Sequence, residues 1–227
     1  MSPQHDLVVV GSGIVGVATA AAAAERGARV LVVDKEDGPA REGSGRAQGS
    51  LRVQGRHPAE LPLAVEAMRL WQRAAADDPE HDAELVTGGN LYLATSSDET
   101  PMLRSLVDQA RAAGLDEVAF LEADDVRALV PAATGPVLGG MWSPYDAQVQ
   151  PALATELFVR RARRAGVGFS FGTTATELLA AGGRITGLRT SRGTLRPREI
   201  VVAAGAWSSH LLASAGVALP VMPVILS

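Results

Sequence analysis

Leu7-Val8-Val9-Val10-Gly11-Ser12-Gly13-Ile14-Val15-Gly16, followed by an alanine-rich run and then by Val30-Leu31-Val32-Val33-Asp34, decides the fold of this chain. The first four residues are apolar and mostly β-branched, as in a strand, and the three glycines have the spacing of a strand-to-helix turn. Gly11 permits the tight turn, Gly13 lets the backbone approach a pyrophosphate, and Gly16 lets the following helix pack close to the strand. A pyrophosphate then rests on the unpaired amides and positive end of that helix. Asp34 lies 18 residues after Gly16, where a carboxylate accepts hydrogen bonds from the adenosine ribose hydroxyls. Its charge also repels a 2′-phosphate, which disfavours an NADP-type ribose. Ala18 and Ala20–Ala24 leave little side chain between helix and sheet. Together these features describe a site for the ADP half of a dinucleotide.

Leu7–Ala24 is also an uncharged run of 18 residues, the length of a short membrane span. Asp6 precedes it, no Lys or Arg lies upstream, and three glycines interrupt it. Glu25-Arg26-Gly27 closes it as a helix end with a glycine cap, so the run reads as part of a soluble fold.

At 227 residues and 47% hydrophobic content, the chain can bury one large or two small cores. The net charge of −4 gives no general attraction for nucleic acid or an anionic membrane. Without cysteine there are no disulfides, thiolate metal sites or cysteinyl flavin links. His5, His57, His81 and His210 are sparse and lack metal-ligand spacing, and no targeting segment is evident, so the cytoplasm is the expected compartment. Lys35 is the only lysine among 21 basic residues, leaving 20 arginines; with the abundant alanine, this suggests a GC-rich bacterial genome.

Lys35–Gly49 is a loop by composition. Helices are expected from Glu60, over Thr100–Ala113 and over Glu122–Leu129, with short strands at Leu91–Ala94 and Val137–Ser143. The segment 87–147 lacks the strand–helix–strand rhythm, which resumes with a helix from Pro151, Gly166, and a strand at Val167–Phe171. The arginines at 160, 161, 163 and 164 read as a solvated face near a helix C-terminus, not a nucleic-acid patch. Small antiparallel strands follow at Thr174–Leu179, Arg184–Thr190 and Thr194–Arg196. Ile200–Ser208 is then an apolar run ending in small residues, expected to be a central parallel strand buried on both faces. The expected class is α/β: a Rossmann-like dinucleotide-binding domain with a parallel sheet (residues 1–86 and 148–210). An incomplete α+β substrate domain (87–147 and 211–227) is inserted in it.

The glycine motif with Asp34, the segment Ser44-Gly45-Arg46-Ala47-Gln48-Gly49-Ser50-Leu51-Arg52, and Val201–Ser208, in that order, resemble the D-amino-acid oxidase superfamily. The resemblance is to its branch with glycine and sarcosine oxidases and the hydroxyproline, opine and cyanide-forming glycine dehydrogenase subunits. It extends through Leu91–Ala94, Glu122–Pro131, Trp142–Pro151 and Leu219–Pro223. It implies non-covalent FAD, with Gly11, Gly13, Ile14, Val15 and Gly16 on the pyrophosphate and Asp34 and Lys35 around the adenosine. Ser44, Gly45, Arg46, Ala47, Gln48 and Gly49 would line the remaining phosphate and the flavin. Ala175 would present its backbone to adenine, and Ala204-Gly205 would make the second approach to the cofactor. Arg52 is the candidate for a substrate carboxylate, which a guanidinium grips with two parallel hydrogen bonds. No catalytic base is assigned.

The resemblance further implies removal of a hydride equivalent from the carbon beside a neutral amine of a small amino acid or secondary amine. Oxygen or another electron acceptor would reoxidise the flavin. The loop departs from the family's Arg-Asn-glycine pattern, and Ile225 stands where an arginine is frequent. Relatives are longer, so the chain is read as an N-terminal portion of a longer flavoprotein, or one completed by a partner subunit or a second copy. Two other readings stand beside it: an NAD-dependent dehydrogenase, and a non-catalytic flavoprotein subunit or assembly partner.

Overall fold

A computed structural model describes residues 4–221. The chain forms two compact units, one made of the residues up to Gln48 together with those from Pro151 onward, the other of Gly49–Gln150.

The first unit opens with β1 (Leu7–Val10), α1 (Ile14–Ala24) and β2 (Val30–Val33). β1 and β2 are parallel, with Leu7 beside Val30 and Val10 beside Val33. The glycine turn and α1 form the crossover between them, as a parallel pair requires.

The second unit runs through β3 (Ser50–Leu51), α2 (Leu61–Ala76), β4 (Val86–Thr87) and β5 (Asn90–Ala94). It continues through α3 (Glu99–Ala112), β6 (Ala119–Glu122), α4 (Ala123–Leu129), β7 (Gly139–Ser143) and β8 (Ala147–Gln148). Two three-stranded antiparallel sheets result, in the orders β5-β7-β6 and β3-β8-β4. One core holds Val53, Leu61, Met68, Leu103, Val107, Val118 and Met141. Pro62 in the first turn of α2 needs no intrahelical donor, and Leu61 and Met68 recur at helical spacing to reach that core.

The chain returns to the first unit with α5 (Pro151–Arg164), β9 (Gly168–Ser170), β10 (Ala175–Ala181), β11 (Arg184–Thr190), β12 (Gly193–Leu195), β13 (Glu199–Val202) and α6 (Ser208–Ala213). Its parallel sheet has the order β13-β1-β2-β9. Alternate strand residues point to opposite faces. Val9 and Val32 pack with Ala20, Ala21 and Ala162 of α1 and α5, while Val8, Val10 and Val33 pack with Leu178, Leu188 and Leu211. With both faces covered, β1 and β2 must be apolar at every position, which explains their unbroken runs. Each fully buried valine contributes about 1.5–3 kcal/mol.

Four expectations are corrected. Residues 49–86 belong to the second unit, because Val53, Leu61 and Met68 complete its core. Leu211 packs under β1 and β10, so the stretch from 211 stays with the first unit. Among the described residues β13 has one strand partner, β1, and lies at a sheet edge with Ile200, Val201 and Val202 half-buried. The sequence also reads one further apolar strand near Leu219–Leu226; Leu219–Val221 forms none, and 222–226 lie outside the described residues.

Candidate functional site

In the first unit, the turn after β1 carries the chemistry. Gly11 has φ +110°, and a Cβ on it would strike the carbonyl of Ala203, so a side chain is excluded twice. A Cβ on Gly16 would strike the carbonyl of Gly11, and that closeness holds α1 against the strand end. The first bond of the helical ladder runs from the Val17 amide to the Gly13 carbonyl at 3.0 Å. The amides of Gly13, Val15 and Gly16 therefore have no acceptor within their own helix. Val15 is 66% exposed, so this helix end is open.

Asp34 closes the turn from the end of β2. Its Oδ2 accepts from the Ser12 amide and the Ser12 hydroxyl, each at 2.6 Å, and its Oδ1 accepts from the Glu36 amide at 2.9 Å. A carboxylate has about four acceptor directions, so capacity remains for a ligand hydroxyl. Ser12 occupies a position the glycine pattern leaves unspecified, and sequence reasoning passed over it. The Ser44 hydroxyl accepts from the Ile14 amide at 3.0 Å and sits 2.9 Å from where a Gly13 Cβ would stand. Ser44 thus takes up one amide of the helix end and fastens the 35–48 loop over it.

Lys35 donates to Glu36 at 2.8 Å and Glu42 at 3.0 Å, and its ammonium lies 4.3 Å over the Trp207 ring. The hydrogen bonds to Glu36 and then Glu42 raise the Lys35 pKa, and the bond from Lys35 holds Glu42 below its ordinary value. Gly45 is tucked against the Ala40 carbonyl, and Arg46, 74% exposed, pairs with Glu42 at 3.7 Å. Ala47 and Gln48 are exposed. Phe171–Ala175 runs past the end of β2, where the Thr173 amide donates to the Asp34 carbonyl at 2.7 Å, and this brings Ala175 into the neighbourhood. Ala203 donates to the Val10 carbonyl at 2.8 Å, which sets Ala204-Gly205 beside Gly11. The structure therefore gathers Gly11 to Gly16, Asp34, Lys35, Ser44, Ala175, Ala204 and Gly205 at the carboxyl edge of β1 and β2.

Gly49 and Arg52 lie in the second unit. Gly49 accepts from the Val149 amide at 2.9 Å and packs against its carbonyl. Arg52 follows β3, half-buried, with its guanidinium carbon 5.6 Å from the centre of the Tyr92 ring. An open groove of about 360 Å³ is lined by Arg52, Arg56, Leu63, Met68 and Trp71, among others. Below Arg52 is a group the sequence did not flag. Asp146, 1% exposed, accepts at Oδ1 from the Val53 amide at 2.8 Å, the Gln54 amide at 3.3 Å and the Ser143 hydroxyl at 3.1 Å. Burial pushes its carboxyl up, against the amides, Ser143 and the charge of Arg52, which favour ionisation. Gln54 donates to Asn90 at 2.9 Å.

No helix among the described residues is long and apolar enough to cross a membrane. Residues 6–226 match the family of FAD dependent oxidoreductases. The chain is 32% identical to a glycine oxidase of Pseudomonas aeruginosa, covering 96% of this chain and 60% of that protein. It is 29% identical to an N-methyl-L-tryptophan oxidase of Yersinia pestis, covering 97% and 58%. The crystal structure of glycine oxidase from Geobacillus kaustophilus superposes with a TM-score of 0.85 at 27% identity, over 95% of this chain and 59% of that one. The chain thus spans about 60% of the length of the relatives it matches.

Proposed function

The chain belongs to the family of FAD dependent oxidoreductases, and on that premise we propose that it binds FAD without a covalent link. We further propose that it serves oxidation of the carbon–nitrogen bond of a small amino acid or secondary amine. The observation that carries the reading is the open end of α1, with Gly11 and Gly16 admitting no side chain and Asp34 clamped beneath it. This arrangement suits an anionic pyrophosphate next to a ribose. The amides of Gly13, Val15 and Gly16 would bind the phosphates, Asp34 the ribose hydroxyls, and the backbone near Ala175 the adenine. Ala204-Gly205 offers a small-residue approach beside Gly11, and Ser44 fastens its loop to the helix end through the Ile14 amide.

When bound, the flavin supplies acceptance of a hydride equivalent. Arg52 would orient the substrate by gripping its carboxylate, with Tyr92 supporting the guanidinium face. No side chain need take a proton if the amine binds neutral, and the imine released hydrolyses in water. The relatives named as a glycine oxidase and an N-methyl-L-tryptophan oxidase support this substrate class.

The test is reconstitution of purified protein with FAD, followed by an absorption spectrum, release of free FAD by heat, and turnover with amino acids and a dye acceptor. Flavin absorbance released intact by heat is the expected result for this chain, and dye reduction is expected where the chain is completed by the rest of a longer flavoprotein or by a partner. Absence of flavin absorbance would refute the cofactor reading. Bound flavin without turnover of any amino acid or amine in the completed protein would leave a non-catalytic flavoprotein.

A further inference from the structure

We infer that Asp146 is a positioning residue for Arg52, fastening the chain just after it. This rests on the proposed reading of Arg52 as the group that binds a substrate carboxylate. The register supplies the geometry. β3 and β8 pair antiparallel with Leu51 beside Ala147, so one step further sets Arg52 beside Asp146. The Oδ1 of Asp146 then takes the amides of the two residues that follow Arg52, Val53 and Gln54, across more than ninety residues of sequence. The chain is hooked around this carboxylate directly after the arginine. Gln54 is tied to Asn90, and a Cβ on Gly55 would stand 3.0 Å from the Tyr92 ring, so the chain after Arg52 passes close to that ring. Tyr92, two residues after Asn90 on β5, is the ring beneath the guanidinium.

A hook alone does not explain an aspartate. One neutral oxygen would accept these amides, and asparagine or serine would supply it without the cost of burying a charge. Asp146 is 1% exposed, and its Oδ2 has no hydrogen-bond partner among the described residues. Burying such a carboxylate is tolerable when a cation stands close, and Arg52 acts on it in the direction that favours the charged form. The hook on the backbone and the Tyr92 ring under the guanidinium hold the arginine in one place before any substrate arrives. A guanidinium fixed in advance loses less conformational freedom on gripping a carboxylate.

The experiment compares Asp146→Asn, which keeps an accepting oxygen and loses the charge, with Asp146→Ala, which loses both. Crystal structures of the FAD-loaded variants read the place of the Arg52 guanidinium. Kinetics read KM for an amino acid against KM for the corresponding amine without a carboxylate. In the alanine variant, the guanidinium should leave the Tyr92 ring and the amino-acid KM should rise about tenfold or more, the scale of one charge-assisted hydrogen bond. The asparagine variant should fall between it and wild type, and the plain amine should change little in either. An arginine that stays over Tyr92 in both variants, with the KM ratio unchanged, would overturn the inference. If the alanine variant does not fold, a wild-type Arg52 position and KM ratio in Asp146→Asn overturns it alone. A displaced Arg52 with equal damage to both substrates would uphold the positioning role and remove Arg52 from carboxylate recognition.

Discussion

Asp34→Asn separates the structural and ligand roles of the clamp beneath the glycine turn. Asp34 offers two oxygens to three donors: the Ser12 amide and hydroxyl on one, the Glu36 amide on the other. Asparagine has one oxygen. If that oxygen keeps Glu36, its NH2 group faces the Ser12 amide, donor against donor. The Ser12 hydroxyl can rotate away, but the amide cannot. The apoprotein therefore loses about one charge-assisted bond, roughly 1.5–3 kcal/mol. At about 2–4 °C per kcal/mol for a chain of this size, Tm should fall by about 3–12 °C. On the proposed reading binding adds a separate loss, because a ribose hydroxyl that would meet a carboxylate in wild type would meet a neutral amide in the variant. That loss is again about 1.5–3 kcal/mol, or roughly ten- to a hundredfold in Kd for FAD. Thermal unfolding of the apoprotein reads the first effect, and FAD titration at a temperature where both proteins are folded reads the second. An unchanged Kd would show that Asp34 only braces the turn. A weakened Kd with unchanged Tm would refute the bracing role of the bonds from Ser12.

Gly16→Ala places a methyl against the Gly11 carbonyl, so it should destabilise the protein by about 1–3 kcal/mol and weaken FAD binding; denaturant unfolding and FAD titration check this. Arg52→Lys keeps the charge and loses the fork, so KM should rise for amino acids and change little for amines without a carboxylate. Equal effects on both classes would move Arg52 out of substrate recognition. Hydrogen bonds from Arg29, with the charges of Arg29 and Arg198, hold the Asp6 carboxyl down to about 2 from its ordinary 3.8. Its contribution to stability is full above the ordinary value and is lost as pH falls from about 4 toward 2. The stability gap between wild type and Asp6→Asn should therefore narrow over that window, and a gap that stays constant down to pH 2 would refute the assignment.

The sequence by itself determined the opening strand–turn–helix–strand unit and proposed the kind of ligand it accepts. Its signals are local: unbroken β-branched runs, three glycines at fixed spacing, an alanine helix, and an acid at the end of the next strand. The helices from Glu60, Thr100 and Pro151 were legible for the same reason, since one buried face repeats every three or four residues. Whatever depends on partners distant in the chain had to come from the tertiary structure. The apolar run at Ile200–Val202 looks the same whether one or two strands flank it, and only the pairing set β13 at an edge. Composition changes little across residues 49–86, yet Val53, Leu61 and Met68 find their neighbours in the second unit and move the boundary to Gly49. The sequence proposed Asp34 as a ribose ligand, but its grip on Ser12 required two segments to fold against each other. Asp146 left no mark in the sequence beyond a turn after Pro144. Its role arises because β8 brings it beside Arg52, where a buried carboxylate meets two amides from the far end of the unit.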